Sequence, residues 1–258
     1  MVLIRQPVRP REILSNEPHL ESSLHLAQII LLLTCLEEWW HNRQDFFAAG
    51  NLSIYYHPDP TTRPKLKSGQ KFRGPDFFVV LGTERRGRSS WIVSEEGNRF
   101  PNLIVEILSK KTAEMDRTEK KALYQNRFQT PEYFWFDPRP NKQEFEGFRL
   151  QDGEYVEIPL TNEGWRWSGE LGLYLGVYEQ QLRYFTVDGL LVPNFREEKA
   201  RQAATIATWQ QRAEQEHAWA MRERQRAEQE RQQAEQERQR AERLAAYLRD
   251  QGIDPDDL

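Results

Sequence analysis

One short apolar run constrains the fold of this 258-residue chain more than any other feature. Leu103–Leu108 (LIVEIL) has turn-forming residues on both sides, which is the pattern of a short buried strand. Glu106 lies in its middle, and side-chain alternation along a strand puts it on the same face as Ile104 and Leu108. A carboxylate buried there costs several kcal/mol unless a cation, a metal ion or open solvent compensates its charge. The run therefore predicts both a core strand and a polar site beside it.

A second carboxylate has a similar setting. Asp76 directly precedes the apolar run Phe77–Leu81 (FFVVL), and a predicted helix downstream of Glu106 carries Lys120 and Lys121. Two acids at strand positions with a lysine nearby are what a divalent metal site for phosphodiester hydrolysis requires. The backbone carbonyl of Ile107 could supply one more oxygen ligand.

The chemistry of phosphodiester hydrolysis explains why these residue types are needed. The negative charge of a phosphodiester repels hydroxide, and Mg²⁺ held by hard oxygen ligands neutralises the charge that develops and lowers the pKa of a bound water. A lysine beside the ion would orient or deprotonate that water and stabilise the pentacovalent phosphate. Since Mg²⁺ usually keeps several waters, two carboxylates and a carbonyl suffice as protein ligands.

Each of these residues taken alone has a simpler explanation. Asp76 could be a turn residue that caps a strand, Glu106 could pair with an arginine from a neighbouring element, and Lys120 could be solvent-exposed, as helix lysines usually are. The interpretation rests on their combination and order along the chain.

Composition limits the classes of protein that remain. With 38% hydrophobic residues, 29% charged residues and a net charge of −4, the chain can form one sizeable core but is not a basic domain that binds nucleic acid through bulk charge. The single cysteine, Cys35, excludes an intramolecular disulfide and favours a reducing cytoplasm. We expect no signal peptide and no membrane span, because the apolar run Leu24–Leu36 is short and interrupted by polar residues.

Basic residues are concentrated on both sides of Asp76 in the sequence. They predict either a phosphate-facing surface or a solvated loop, and they are Arg63, Lys65, Lys67, Lys71, Arg73, Arg85, Arg86 and Arg88.

The order of elements predicts an α/β domain over residues 1–195, with a mixed sheet, helices on its faces and a β-rich extension. Helical periodicity begins at Ser22 or Ser23 and extends to about Asn42. The expected strands are Asn51–Tyr56, Asp76–Leu81, Trp91–Ser94, Leu103–Leu108 and Glu132–Phe136, with a helix over about 113–126 and short strands within 145–195.

Residues 196–258 form a separate segment rich in Ala, Gln, Glu and Arg, with a seven-residue repeat. The repeat puts an alanine stripe on one helix face, but glutamates such as Glu216 and Glu223 stand where a coiled coil needs its second apolar position. The segment is therefore either a weakly self-associating coiled coil or a largely single charged helix held by its own ion pairs.

Several motifs in order resemble the Uma-type restriction endonucleases of the PD-(D/E)XK nuclease superfamily, over roughly residues 15–195. The matching elements are Gly50-Asn51-Leu52 with Tyr55-Tyr56, PDFFVV at 75–80, VEILSKKT at 105–112, Asp116, Glu119-Lys120, Tyr124 and PEYFWFDP at 131–138. The resemblance implies a restriction-endonuclease-like fold, with Asp76 and Glu106 as the metal-binding acids. The lysine usual in the superfamily, two residues after the glutamate, is Leu108 here. The family pattern places it instead at Lys120, with Lys121 as the alternative.

We therefore expect a cytoplasmic, Mg²⁺-dependent DNA endonuclease in which Mn²⁺ can substitute, with a charged helical tail that drives homo-oligomerisation. One alternative is a catalytically silent member whose acids form a structural ion-pair network and whose tail is the assembly module. Another is a nuclease-fold module that binds nucleic acid or a protein without cleavage. The sequence has no Gly-rich phosphate loop, no GxSxG elbow and no zinc-ligand spacing.

Overall fold

The first helix, α1, begins where the sequence supplies a cap. The computed structural model describes residue 15 and residues 22–57, 71–140, 142 and 144–250. Helix α1 spans Ser23–Trp39, and the side chain of Ser22 accepts a hydrogen bond from the backbone N–H of His25 at 3.2 Å. The buried residues of α1 recur at helical spacing and include two polar ones, His25 and Gln28. The helix thus presents one face to the sheet and ends three residues before the expected Asn42.

Twelve strands follow within the described residues, and the first and third of them were not expected. The strands are β1 Phe46–Gly50, β2 Ile54–Tyr56, β3 Lys71–Arg73, β4 Phe77–Leu81, β5 Trp91–Ile92, β6 Leu103–Ile107, β7 Glu132–Phe136, β8 Phe145–Gln151, β9 Glu154–Glu157, β10 Trp165–Ser168, β11 Leu173–Tyr178 and β12 Gln181–Phe185. The prediction of one strand over Asn51–Tyr56 was wrong at its start, because β2 is shorter and β1 precedes it. Strand β1 ends in Ala-Ala-Gly, which lacks the β-branched residues that identify strands in a sequence.

The main sheet has six strands in the order β1-β4-β6-β7-β8-β9. Strands β6 and β7 are parallel, and the other neighbours are antiparallel. Strand β6 has a partner on each side, so all five of its residues are buried. Smaller sheets of order β10-β11-β12 and β3-β2-β5 complete the domain. The mixed sheet with helices confirms the predicted α/β class.

Two hydrophobic cores lie on opposite faces of the main sheet, as strand alternation requires. The first contains Phe77, Val79, Leu103, Val105, Ile107, Phe134 and Phe136, together with residues of α1, β11 and β12. The second contains Phe78, Val80, Ile104, Tyr133 and Trp135, together with residues of β2, β5 and the helix after β6. Glu106 lies on the same face of β6 as Ile104 of the second core and so faces that helix.

The helix after β6, which we label α2, covers residues 113–128 and alternates between two forms. Ala113–Met115 and Lys121–Leu123 are α-helical, whereas Asp116–Lys120 and Tyr124–Phe128 are π-helical. A turn of π-helix contains more residues than the 3.6 of an α-helical turn. When the two alternate, residues four apart in the sequence lie on the same face of the helix. Asp116, Lys120, Tyr124 and Phe128 are all buried on that face.

The last helix, α3, spans Phe195–Asp250. The chain divides into two compact units between Arg196 and Glu197, so α3 belongs almost entirely to the second unit. Side chains four residues apart interact along the helix, for example Arg238 with Glu242 at 3.1 Å. Within the described residues, no helix combines the length and the apolar character needed to cross a membrane.

Candidate active site

Glu106 is the most deeply buried acid of the candidate site, with no exposed surface. Its Oε2 accepts hydrogen bonds from Lys120 Nζ at 2.8 Å and from the backbone N–H of Asp76 at 3.3 Å, and its Oε1 accepts one from the Tyr124 hydroxyl at 2.7 Å. Burial raises the pKa of Glu106 well above its usual range; the Lys120 ammonium opposes this rise, and the carboxylates of Asp76 and Asp116 add to it. The lysine is thus the cation that the buried carboxylate requires.

Asp76 lies just before β4, at the end of the sheet where β6 finishes. Its Oδ2 accepts a hydrogen bond from the backbone N–H of Ile107 at 2.7 Å, and its Oδ1 lies 2.9 Å from His25 Nε2. Burial would raise the pKa of Asp76, but the His25 contact, the Lys120 charge and the Ile107 N–H outweigh burial and lower it. Its side chain is 14% exposed, so it is the carboxylate through which solvent reaches the site.

The structure brings Lys120, and not Lys121, to the acids. Lys120 Nζ lies 2.8 Å from Glu106 Oε2 and 2.8 Å from Asp116 Oδ1. Burial alone would lower the pKa of Lys120, but these carboxylates outweigh it and raise the pKa, so the ammonium form is stabilised. The Lys121 Nζ lies 3.4 Å from the centroid of the Phe148 ring, on a different side of α2.

Three contributors to the site were not identified as site residues from the sequence. Asp116 and Tyr124 were matched only as motif positions, although their spacing of four from Lys120 is a signal for one helix face. His25 comes from α1, far away in the sequence. The available signal for it was a polar residue on an otherwise apolar helix face.

The charge of this cluster is unbalanced. In the part of the chain that the structure describes, three carboxylates, those of Asp76, Glu106 and Asp116, surround the single ammonium of Lys120, which leaves a formal excess of two negative charges. Among the described residues, no set of three or more His, Cys, Asp and Glu side chains is arranged to hold one metal ion. The donor types nevertheless fit a hard divalent cation, because carboxylate and carbonyl oxygens with several waters are the ligands that Mg²⁺ takes. The role of the Ile107 carbonyl stays a prediction.

The basic residues that flank Asp76 in the sequence do not all lie near it in the structure. Arg63, Lys65 and Lys67 lie outside the described residues, whereas Lys71 and Arg73 form β3, just before Asp76. The group Arg85, Arg86 and Arg88 follows the far end of β4, about 16 Å along the strand from Asp76. These three arginines pair with Glu37, Glu84 and Glu96. An extended strand therefore separates these three arginines from Asp76, and their ion pairs favour the solvated loop of the two predicted alternatives.

Comparison with known proteins adds independent information to this geometry. Residues 12–186 match the family Uma2, described as "Putative restriction endonuclease". Among solved structures, a "putative nuclease belonging to DUF820" from Anabaena variabilis ATCC 29413 matches with 16% sequence identity and a TM-score of 0.42. That match covers 60% of this chain and 76% of the other. None of the curated proteins compared with the chain matches it.

The family match spans well over half of the chain and includes every residue of the candidate site, from His25 in α1 to Tyr124 in α2. The protein therefore belongs to the Uma2 family of restriction-endonuclease-like proteins.

Proposed function

We propose that this protein is a divalent-metal-dependent DNA endonuclease that uses Mg²⁺, with Mn²⁺ as a substitute. The observation that carries the proposal is the excess of two negative charges in a largely buried cluster at one end of the sheet. A divalent cation would balance that charge. A structural ion-pair network would be expected to pair acids and bases evenly, and this cluster does not.

In the proposed reaction, Asp76, Glu106 and the Ile107 carbonyl would hold Mg²⁺. When bound, the ion neutralises charge on the scissile phosphate and lowers the pKa of a water. Lys120 remains an ammonium group between two carboxylates, and that positive charge is available to orient the attacking water and to stabilise the phosphate. Tyr124 holds the second oxygen of Glu106 in place.

The substrate would approach from the side of Asp76. This carboxylate is 14% exposed, whereas the side chains of Glu106 and Lys120 are 0% and 10% exposed. Loop residues Lys110 and Lys111, which follow β6, are exposed and could contact a phosphate backbone there.

Cleavage of plasmid and single-stranded DNA in Mg²⁺ or Mn²⁺ tests the proposal. The purified protein should cut, and Glu106→Gln and Lys120→Ala should each abolish cutting. Lys121→Ala is the matched control and should retain most of the activity, because Lys121 lies over Phe148 and not beside the acids. Cutting that survives Glu106→Gln would reject the site.

Metal binding without substrate separates the enzyme from a catalytically silent relative. We expect Mn²⁺ to bind the wild-type protein and to raise its melting temperature, since a ligand that binds only the folded state stabilises it. Asp76→Ala and Glu106→Ala should remove both effects. A folded wild-type protein that binds no Mn²⁺ would instead have the structural ion-pair network of the catalytically silent alternative.

We also propose that α3 associates with a second copy of the chain. The observation that favours this is a series of exposed large apolar side chains along the helix: Ile206, Trp209, Trp219, Met221, Leu244 and Tyr247. Burial of these side chains against a second helix would remove apolar surface from water, which favours association.

A further inference from the structure

His25 is a buried polar residue of α1. The two acids beside it come from elsewhere, since Asp76 directly precedes β4 and Glu106 lies in β6. The His25 side chain is 8% exposed, and its Nε2 lies 2.9 Å from Asp76 Oδ1. The other oxygen of Asp76 accepts the backbone N–H of Ile107 at 2.7 Å. The Asp76 carboxylate is therefore held from two sides, by α1 on one and by β6 on the other.

The position of the His25 ring is set by the docking of α1. Gln28, three residues further along the same buried face, donates from Nε2 to the carbonyl of Leu182 at 2.9 Å and accepts the N–H of Leu182 at 3.0 Å. Leu182 belongs to β12, so these two hydrogen bonds fix the position of α1 against the sheet of order β10-β11-β12. Ile29 and Leu32, both buried, pack in the same core. His25 thus reaches Asp76 from a rigid element.

A carboxylate that ligates a metal works best when its oxygens are already oriented. Partners that hydrogen-bond a ligating carboxylate fix that orientation, and their loss typically weakens metal binding by about 10-fold to 100-fold. Asp76 is the acid of this site with the most exposure, so it has the greatest freedom to turn towards solvent.

We propose that His25 is a positioning residue, which fixes the carboxylate of Asp76 so that a divalent cation can bind. The inference rests on the proposed function, because it concerns the same metal site. His25 acts through Asp76 and is not itself a metal ligand. Helix α1 is then part of the active site, and its contact with β12 influences metal affinity.

A pair of amide substitutions tests the role directly. In His25→Gln, the side-chain amide nitrogen reaches the place of the imidazole Nε2, whereas in His25→Asn it is too short. Mn²⁺ affinity measured by calorimetry and by electron paramagnetic resonance should remain within about threefold of wild type in His25→Gln and fall by about tenfold or more in His25→Asn. Exposed His41, just after α1, supplies the control: His41→Asn should leave the affinity unchanged.

Melting temperatures and circular dichroism of both variants show whether each one is folded. The inference is overturned if folded His25→Asn binds Mn²⁺ as wild type does, or if both variants lose affinity equally. Nitrogen hyperfine coupling from His25 to bound Mn²⁺ would also overturn it, because it would make His25 a ligand. If the wild-type protein binds no Mn²⁺, the proposed function itself fails and this inference fails with it.

A metal-free measurement checks the contact separately. The ring-nitrogen chemical shifts of His25 in ¹H–¹⁵N spectra should change in Asp76→Asn, while those of His41 should not. Unchanged His25 shifts would show that the two side chains do not interact in solution, and would reject the positioning role.

Discussion

Tyr124 and Tyr184 both place a hydroxyl group in the interior, and the two hydroxyls have different surroundings. The Tyr124 hydroxyl donates to Glu106 Oε1 at 2.7 Å. The Tyr184 hydroxyl is buried without a hydrogen-bond partner among the described residues. Replacement of each tyrosine by phenylalanine removes one buried hydroxyl group. The difference in stability between the two variants therefore measures what the Tyr124–Glu106 hydrogen bond contributes.

We expect Tyr124→Phe to destabilise the protein by about 1.5–3 kcal/mol, since it removes a hydrogen bond to a buried carboxylate. Tyr184→Phe should change stability by less than about 0.5 kcal/mol, or raise it, because no bond is lost. Urea unfolding of both variants measures the difference. Equal losses would show that the Tyr124–Glu106 bond contributes nothing beyond packing.

Lys120 is the residue on which the charge balance of the site depends. Lys120→Met should cost about 3–5 kcal/mol at pH 8, because it leaves three carboxylates together in a buried place. Lys121→Met is the matched control, and it should cost at most about 1 kcal/mol for a lost cation–π contact. Denaturant unfolding of the two variants at one pH compares them.

The same variant should have a characteristic pH dependence. The pKa of Glu106 and that of Asp116 are raised by burial even beside Lys120. In Lys120→Met these groups lose the opposing cation, so the folded state takes up protons at a pH where the unfolded chain stays ionised. The stability of the variant should therefore rise as the pH falls from 8 to 5, towards the ordinary carboxyl pKa of about 4. A stability independent of pH over this range would contradict the assignment.

At the scale of elements, the approach of α1 to β1 decides where His25 lies. Gly50 ends β1, and a Cβ added there would lie much closer to Ile29 Cγ2 of α1 than two carbon atoms can approach. Ile29 is buried and β-branched, so its side chain cannot easily turn away. The glycine is required by close packing and not by a turn.

Gly50→Ala should destabilise the protein by about 1–3 kcal/mol through this overpacking. It should also weaken Mn²⁺ binding, because a displaced α1 carries His25 away from Asp76. Gly87→Ala is the control, since a Cβ at Gly87 meets open space, and it should be neutral or stabilising. Thermal melts of both variants measure the change in stability, and Mn²⁺ titrations measure the change in metal affinity.

At the scale of the whole molecule, the chain has two units that differ in how they are stabilised. The first, up to Arg196, contains both hydrophobic cores and the whole candidate site. The second consists of α3, whose described side chains are almost all exposed and interact along the helix itself. Since each unit has its own source of stability, the first unit should stay folded when α3 is removed.

Truncation after Asn194 should leave a folded domain with a melting temperature within about 2 °C of the full-length protein and with the same Mn²⁺ affinity. In sedimentation, the full-length protein should behave as an oligomer and the truncated protein as a monomer. If both sediment as the same species, α3 is not the assembly element and the single charged helix is the correct description.

The sequence by itself determined the elements that depend on local pattern. The apolar runs gave β4, β6 and β7, and helical spacing gave α1, α2 and α3, because burial of one face imposes a period on the chain. It also determined that Glu106 needs a compensating charge, since an ionised carboxylate cannot be buried alone. The order of acids and lysines pointed to Asp76 and to a lysine of α2, and the resemblance to the family placed that lysine at Lys120.

The tertiary structure alone decided which distant groups meet. The structure brings Lys120 rather than Lys121 to the acids because of the direction in which α2 packs, and Asp116 and Tyr124 join the site from the same helix face. His25 reaches Asp76 because α1 docks on β12, and Arg85 lies far from the site because β4 is extended. These facts depend on contacts between residues far apart in the chain, which no local pattern encodes.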